Sequence, residues 1–297
     1  MMALTSSAVN NMTLENVYKL TLEKLQKAGA DAPAFDTIWL MGSVLDITKQ
    51  DLLVNPEREV SEEDTEKILL LADRRIKGEP VQYLAGFEEF FGRKFFVGEG
   101  VLIPRDDTEV VLCSTFPYLD KLTKEKNVKI LDLCSGSGIL AITLKKQYPQ
   151  AEVTAVEISD KALRYLRKNA EYHNADIRII HDDIFNCTDE FAAGEFDLII
   201  SNPPYVRTYE MQKLQNEVRF EPALALEGGE DGCDFYRRIV PIYKEKIRAG
   251  GMLAFEYDSD QADIISSLMQ EAGFENITVF DDLGGVHRAI NGTMLNI

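Results

Sequence analysis

From about residue 127 the chain alternates short apolar runs with amphipathic stretches: VKILDLC (128–134), GILAITLKKQYP (138–149), EVTAVEIS (152–159), DKALRYLRKNAEYHN (160–174), IRIIHDDI (177–184) and FDLIISNPPY (196–205). A strand that feeds a helix and then a further strand, repeatedly, calls for a parallel sheet wound by helices on both faces. MLAFEYD (252–258), the helix DQADIISSLMQEAG (260–273), ITVFDDL (277–283) and RAINGTM (288–294) complete the pattern, the last two close enough in sequence to pair antiparallel. The expected fold class is therefore α/β, a doubly wound, mostly parallel seven-stranded Rossmann-like sheet.

The first eighty residues follow a different period. TLENVYKLTLEKLQKAG (13–29), PAFDTIWLMGSVLD (33–46) and SEEDTEKILLLADRRIKG (61–78) have helical spacing, with Val17, Leu20, Leu22 and Leu25 recurring along the first. Gly29 is a natural C-terminal stop, and Ser61 followed by Asp64 suits an N-terminal capping box, with acids at the positive end of the helix dipole. Between these helices and the sheet, YLAGFEEFFGRKFFVGEGVLIP (83–104) places Phe90, Phe91, Phe95 and Phe96 in short strands of a hairpin. The expected division is a helical domain over 1–80, a β-hairpin linker over 81–103 and a sheet domain over 104–297.

At 297 residues the chain can bury a sizeable core as one large or two unequal domains. Fifty acidic residues against 32 basic give a formal charge of −18, spread along the chain with no acidic tail. That disfavours autonomous nucleic-acid binding, whose sequence-independent affinity comes from Lys and Arg neutralising phosphates. Cys113, Cys134, Cys187 and Cys233 lie far apart and, with only three histidines, form no CxxC or HExxH pattern, so neither a disulfide framework nor a metal site is expected. The opening MMALTSSAVNNM carries no charged leader with an apolar core, and no eighteen apolar residues run together, so the expected setting is soluble and cytoplasmic.

Chemistry gathers at the strand ends. The first strand runs into Asp132-Leu133-Cys134-Ser135-Gly136-Ser137-Gly138, a glycine turn where backbone can approach a nucleotide cofactor with no side chain between. A DxxxGxG turn is also met without any ligand, so its meaning depends on its neighbours. The next strand ends at Glu157, 25 residues after Asp132, an acid placed to accept from both ribose hydroxyls of an adenine nucleoside. The third ends in HDDIF, where Asp183 suits the adenine exocyclic amine and Ile184 the face of its ring.

The fourth strand ends in Ser201-Asn202-Pro203-Pro204-Tyr205. Two prolines fix the backbone and remove two donors. The Asn202 side-chain oxygen and the Pro203 carbonyl then suit the two hydrogens of a planar NH2 group, with Tyr205 stacked on its plane. Such acceptors hold the nitrogen and favour its lone pair as a nucleophile.

DxxxGxG, an acid-tipped strand and NPPY together resemble the class I S-adenosylmethionine-dependent methyltransferases that act on planar NH2 groups, in nucleic acid or in protein glutamine. GFEEFFGRKFFVGEGVLIPRDDTEVVL (86–112) and VRFEPALALEGGEDGCDFYRRIV (218–240) narrow the likeness to the HemK/PrmC family of peptide chain release factor glutamine methyltransferases, from about residue 80 onward. Two departures stand out: Asp106 occupies the proline of the family's IPRPDTE, and Cys134 a position that is often glycine.

The resemblance implies a Rossmann-like methyltransferase fold, S-adenosyl-L-methionine as cofactor and no metal. The implied cofactor residues are Cys134, Ser135, Gly136, Ser137, Gly138, Glu157, Asp183, Ile184 and Asn202. Asn202, Pro203, Pro204 and Tyr205 bind the substrate amide, with Asn202, Pro203 and Tyr205 at the chemistry. Arg105, Thr108 and Glu109 are implied at the methionine end of the pocket, Arg105 being equally readable as the structural partner of a carboxylate, and the FEP and EGG segments as loop architecture. The implied reaction is methylation of the GGQ-loop glutamine of a release factor, a step in translation termination, by a monomer that contacts neither nucleic acid nor membrane. An adenine amino methyltransferase of DNA or RNA, which would flip its base into the pocket, is the alternative.

Overall fold

The computed structural model describes residues 12–295; the opening segment read for a leader lies almost wholly outside the described residues. Two compact units result: one runs to Phe87 and takes in Asn216–Phe220, the other comprises Glu88–Gln215 and the chain from Glu221 onward.

The first unit is helical. A two-residue strand β1 (Met12–Thr13) leads into α1 (Leu14–Lys27), whose first turn is capped by the Thr13 side chain. Helix α2 (Pro33–Leu45) opens on a proline, whose missing N–H has no partner to lose there. Helix α3 (Lys49–Val54) is held by a Thr48–Asp51 capping box, and β2 (Glu59–Val60) pairs antiparallel with β1. Ser61 caps α4 (Glu62–Ile76), and α5 (Val81–Ala85) stops at Gly86 in the left-handed region. The three longer helices match the expected stretches; α3, α5 and the β1–β2 ladder are too short to leave a period in the sequence. Leu14, Val17, Met41, Val60 and Ile68 form one apolar cluster, and Leu25, Leu40, Ala72, Val81 and Leu84 a second. Between the helices, buried Arg75 donates to Asp36 at 2.8 Å and also pairs with Glu217, which ties the returning Asn216–Phe220 segment to this unit.

Strand β3 (Phe87–Phe90), which starts on the last residue before the second unit, and β4 (Arg93–Phe96) make the expected hairpin. Its two turn residues, Phe91 and Gly92, both have positive φ, the turn whose twist matches paired strands. Helix α6 (Thr108–Leu122) follows, unforeseen in the sequence and carrying Pro117 inside it. Then come β5 (Lys129–Leu133), α7 (Ile139–Gln147), β6 (Glu152–Glu157), α8 (Asp160–Tyr172), β7 (Arg178–His181), β8 (Phe196–Ser201), α9 (Asp234–Tyr243), β9 (Ile247–Glu256), α10 (Ala262–Glu271), β10 (Phe274–Asp281) and β11 (His287–Met294).

The seven strands lie in the order β10-β11-β9-β8-β5-β6-β7, with β11 antiparallel to both its neighbours and the rest parallel. Alternate strand residues bury on opposite faces: Ile130, Leu198 and Ile200 in one apolar cluster, Leu131, Leu133 and Ile199 in the other. Chain order reverses between β5 and β8. In open α/β sheets, ligands bind at such a reversal, outside the carboxyl ends of the strands. Leu133 is level with Val156 of β6 and Ser201 of β8, so the residues that follow each strand emerge side by side.

Candidate active site

The turn after β5 is shaped by left-handed backbone. Cys134, Gly136 and Gly138 have φ of 58°, 55° and 85°. A Cβ on Gly138 would stand 2.3 Å from Leu166 Cδ1 on α8, so this glycine permits close helix packing, whereas a Cβ on Gly136 would meet nothing within 4 Å. The turn is pinned from below: Ser135 N–H donates to the Val156 carbonyl at 3.0 Å, and Ser135 Oγ to the Asp132 carbonyl at 2.9 Å. Cys134 takes a conformation that favours glycine, which accounts for the residue more common there.

Glu157 closes the turn against β6. One carboxylate oxygen accepts from Gly136 N–H at 2.8 Å and the other from Ser159 N–H at 2.7 Å, while Ser159 Oγ caps α8. Glu157 thus holds two backbone amides, each carboxylate oxygen keeping a second lone pair for the cleft. Burial raises its pKa, opposed by these amides. Asp132 lies beneath, fully buried. Its Oδ2 accepts from Ala141 N–H at 3.1 Å, Oδ1 has no partner, and burial pushes its pKa to about 7.

The cleft above these residues is lined by Cys134, Ser135, Gly136, Ser137, Glu157 and Asp183, by Ile184 and Phe185, and on the opposite side by Asn202 and Pro204. Asp183 accepts from Phe185 N–H at 2.9 Å, and Arg238 stacks on the Phe185 ring at 3.4 Å from its centroid. Carboxylates at one wall and apolar side chains at the next fit a nucleoside, whose hydroxyls donate and whose ring is planar. Above about pH 7, where it is ionised, Asp132 with its orphaned oxygen adds negative potential that suits a cation. Gly138 packs behind the turn, and neither Pro203 nor Tyr205 is among the lining residues.

Asn202 donates from Nδ2 to Thr108 Oγ1 at 3.3 Å. Tyr205 turns its hydroxyl to Glu256 Oε1 at 3.1 Å, and its carbonyl accepts from Gln261 Nε2 at 3.0 Å. The EGG segment buttresses this turn: a Cβ on Gly228 would stand 2.6 Å from the Pro204 carbonyl oxygen. Arg105 lines the cleft and pairs with buried Glu221, which also accepts from Ile103 N–H at 2.9 Å. Glu109 does not line the cleft; it accepts from Phe91 N–H at 2.8 Å and so fixes the hairpin turn. Asp106 is exposed in the turn before α6, where an acid faces the positive end of the helix in place of proline's rigidity. Glu256, Phe185 and Arg238 were not singled out in the sequence; the only signal for Glu256 is an acid closing the apolar run MLAF.

Residues 112–224 match the family profile described as Methyltransferase small domain, and residues 17–86 the PrmC N-terminal domain. The chain is 36% identical to a release factor glutamine methyltransferase of Geobacter sulfurreducens, over 94% of this chain and 96% of that one. A protein of the same name from Koribacter versatilis is 34% identical, over 95% and 98% of the two chains. Among solved structures, a methyltransferase from Pyrococcus furiosus aligns with a TM-score of 0.50 at 17% identity, covering 79% of this chain and all of that one. The hMettl16 catalytic domain in complex with an RNA hairpin aligns with a TM-score of 0.54 at 14% identity, over 81% and 86%. At these identities the structural likeness speaks for the fold alone.

Proposed function

Because the chain belongs to the release factor glutamine methyltransferase family, we propose that it methylates the side-chain amide nitrogen of the glutamine in the GGQ loop of a peptide chain release factor, with Asn202 and Pro203 at the reacting nitrogen. It is an S-adenosylmethionine-dependent protein glutamine methyltransferase. The observation that supports the assignment of Asn202 is that it stands, with Pro204, on the wall of the same cleft as the glycine turn, Glu157 and Asp183; Pro203 is assigned from its position between them in the turn. A nucleoside held at one end and an amide at the other would bring the two reactants together.

When bound, S-adenosylmethionine supplies an electrophilic methyl group on a positively charged sulfur. Gly136, Glu157 and Asp183 hold the nucleoside, and Ile184 and Phe185 cover its ring. The chain's remaining work is on the substrate amide, a poor nucleophile whose lone pair is delocalised into its carbonyl. Asn202 Oδ1 and the Pro203 carbonyl each accept one N–H, which fixes the nitrogen and stabilises the positive charge that develops on it as the new bond forms. Pro204 and Tyr205 keep the turn rigid and exclude water that would compete for those acceptors. The methylated nitrogen becomes strongly acidic, so its proton needs no dedicated base. The enzyme works as a monomer in the cytoplasm, without direct contact to nucleic acid.

The test is transfer of labelled methyl from S-adenosylmethionine to purified release factor, alongside the same factor with its GGQ glutamine changed to alanine, and alongside DNA and RNA. Label in the intact factor alone is expected. Label in the alanine factor, or in nucleic acid, overturns the assignment.

A further inference from the structure

Two buried groups beside Asn202 have no role in the reaction as described so far. Thr108 opens α6 and is 1% exposed; Glu256 closes β9 and is also 1% exposed. The Thr108 oxygen accepts from Asn202 Nδ2, so its own hydrogen must go to another acceptor. Glu256 Oε1 takes the Tyr205 hydroxyl, whereas Oε2 is buried with no partner at ordinary hydrogen-bond distance. The Thr108 hydroxyl stands close enough to this carboxyl to lower its pKa. An unsatisfied acceptor and an uncommitted donor thus face each other.

Their polarity has one consistent direction. A carboxylate only accepts, so Thr108 donates to Glu256; the Thr108 oxygen then accepts, so Asn202 presents its NH2 to Thr108 and its oxygen to the cleft. Shape alone would not choose, because the two ends of an amide are nearly the same size. A flipped Asn202 would set NH2 against the substrate's NH2, donor against donor, and lose the acceptor the reaction needs.

We propose that Thr108 and Glu256 are positioning residues that fix the Asn202 amide with its oxygen toward the cleft, so that it meets the substrate NH2 as an acceptor. The inference rests on the reading of Asn202 given above. It also carries a pH dependence. Burial raises the Glu256 pKa to about 7, opposed by hydrogen bonds from Thr108 and Tyr205; Asp107 beside Thr108 raises it further, and Arg288 of β11 lowers it. Protonated, Glu256 can donate to Thr108 and run the chain backwards, releasing Asn202 to flip. Turnover should therefore rise with pH through the region of 7.

The experiment measures kcat, cofactor KM and the pH profile on purified release factor for the parent, Thr108→Val, Thr108→Ser and Glu256→Gln, with melting temperatures for all four. Freeing Asn202 to turn its NH2 toward the cleft should lower kcat of Thr108→Val by about 10- to 100-fold, less than loss of the acceptor itself. Cofactor KM should stay within about twofold, since the nucleoside contacts are untouched, and Thr108→Ser, which keeps the hydroxyl, should recover most of the rate. Glu256→Gln should lose the acid limb of the profile. An active parent with Thr108→Val at equal kcat overturns the proposal, as does an unchanged acid limb in Glu256→Gln. A purely structural role would lower cofactor affinity and melting temperature together, with no rescue by serine. A parent inactive on release factor would overturn the functional reading itself, and the inference with it.

Discussion

At the end of the cleft proposed for the nucleoside, Gly136, Glu157 and Asp183 stand at the tips of successive strands between residues 132 and 184, and their hydrogen bonds run to backbone. At the end proposed for the substrate amide, Asn202, Thr108, Tyr205 and Glu256 come from segments spread between residues 108 and 256, and they bond to one another's side chains. The first end is a property of a strand-turn-helix repeat and tolerates exchange of side chains that only cover backbone. The second exists only once the sheet has formed, and every member sets the direction of the next. Substitutions at the two ends should therefore fail differently, in binding at one and in turnover at the other.

The largest effect belongs to the amide end. Asn202→Ala removes an acceptor needed chiefly in the transition state, and kcat should fall by about 100-fold or more. Cofactor affinity, measured by calorimetry, should change by less than about threefold. Single-turnover rates comparable to the parent's would remove Asn202 from the mechanism and with it the contrast between the ends.

Glu157→Ala should give the mirror image. One hydrogen bond from a ligand to an ionised group is worth about 1.5–3 kcal/mol, and loss of the carboxylate also frees the Gly136 and Ser159 amides. Cofactor affinity should drop by about 10- to 100-fold, with kcat at saturating cofactor falling far less. Unchanged affinity would show that the carboxylate serves only the turn.

The same contrast governs what the sequence reveals. Continuous apolar runs announced the parallel strands, and the acids at their ends, Glu157 and Asp183, line one cleft with the glycine turn, because both are local patterns. Helix α6 was hidden because Pro117 lies inside it and the proline-containing IPRDDTE run precedes it. The return of Asn216–Phe220 to the helical unit depends on Arg75 meeting Glu217, 142 residues away, which no period encodes. Glu256 closes an apolar strand and looks like its polar end; only the fold shows it buried beside Thr108 and Tyr205.

Gly138→Ala probes the backbone-built end through packing. The added Cβ would meet Leu166 and Ile142 side chains at 2.3 and 2.9 Å, at a φ of 85°. Overpacking and left-handed strain together should destabilise by about 2–4 kcal/mol, seen as a lower denaturant midpoint. A neutral result would mean that α8 can shift freely, and that the turn is less rigid than its hydrogen bonds imply.

The buried acid beneath the turn gives a pH test. Asp132 has its pKa raised from 3.8 to about 7, so between those values the folded chain holds a proton that the unfolded chain releases. Its contribution therefore falls as pH rises from about 4 to about 7 and levels off above, the reverse of a salt-bridged carboxylate. Asp132→Asn removes that titration, so its melting temperature should decline less than the parent's between pH 5 and pH 8. Parallel curves would place the proton elsewhere.

The smallest effect should come from Cys134, which sits at a φ of 58°. A side chain in the left-handed region costs about 1–2 kcal/mol. Cys134→Gly relieves that strain but gives back about 0.5–1 kcal/mol through the greater freedom of glycine in the unfolded chain. It also removes a side chain packed against the apolar cluster of Leu131, Leu133 and Ile199. The two sides nearly cancel, so the change in stability should stay within about 1 kcal/mol by denaturant unfolding. Cofactor affinity should hold, because this end presents backbone. Cys134→Val keeps the strain, adds a β-branch that the left-handed region resists, and should be clearly destabilised. If glycine weakens cofactor binding while stability holds, the thiol itself touches the ligand, and the nucleoside end is not built from backbone and carboxylates alone.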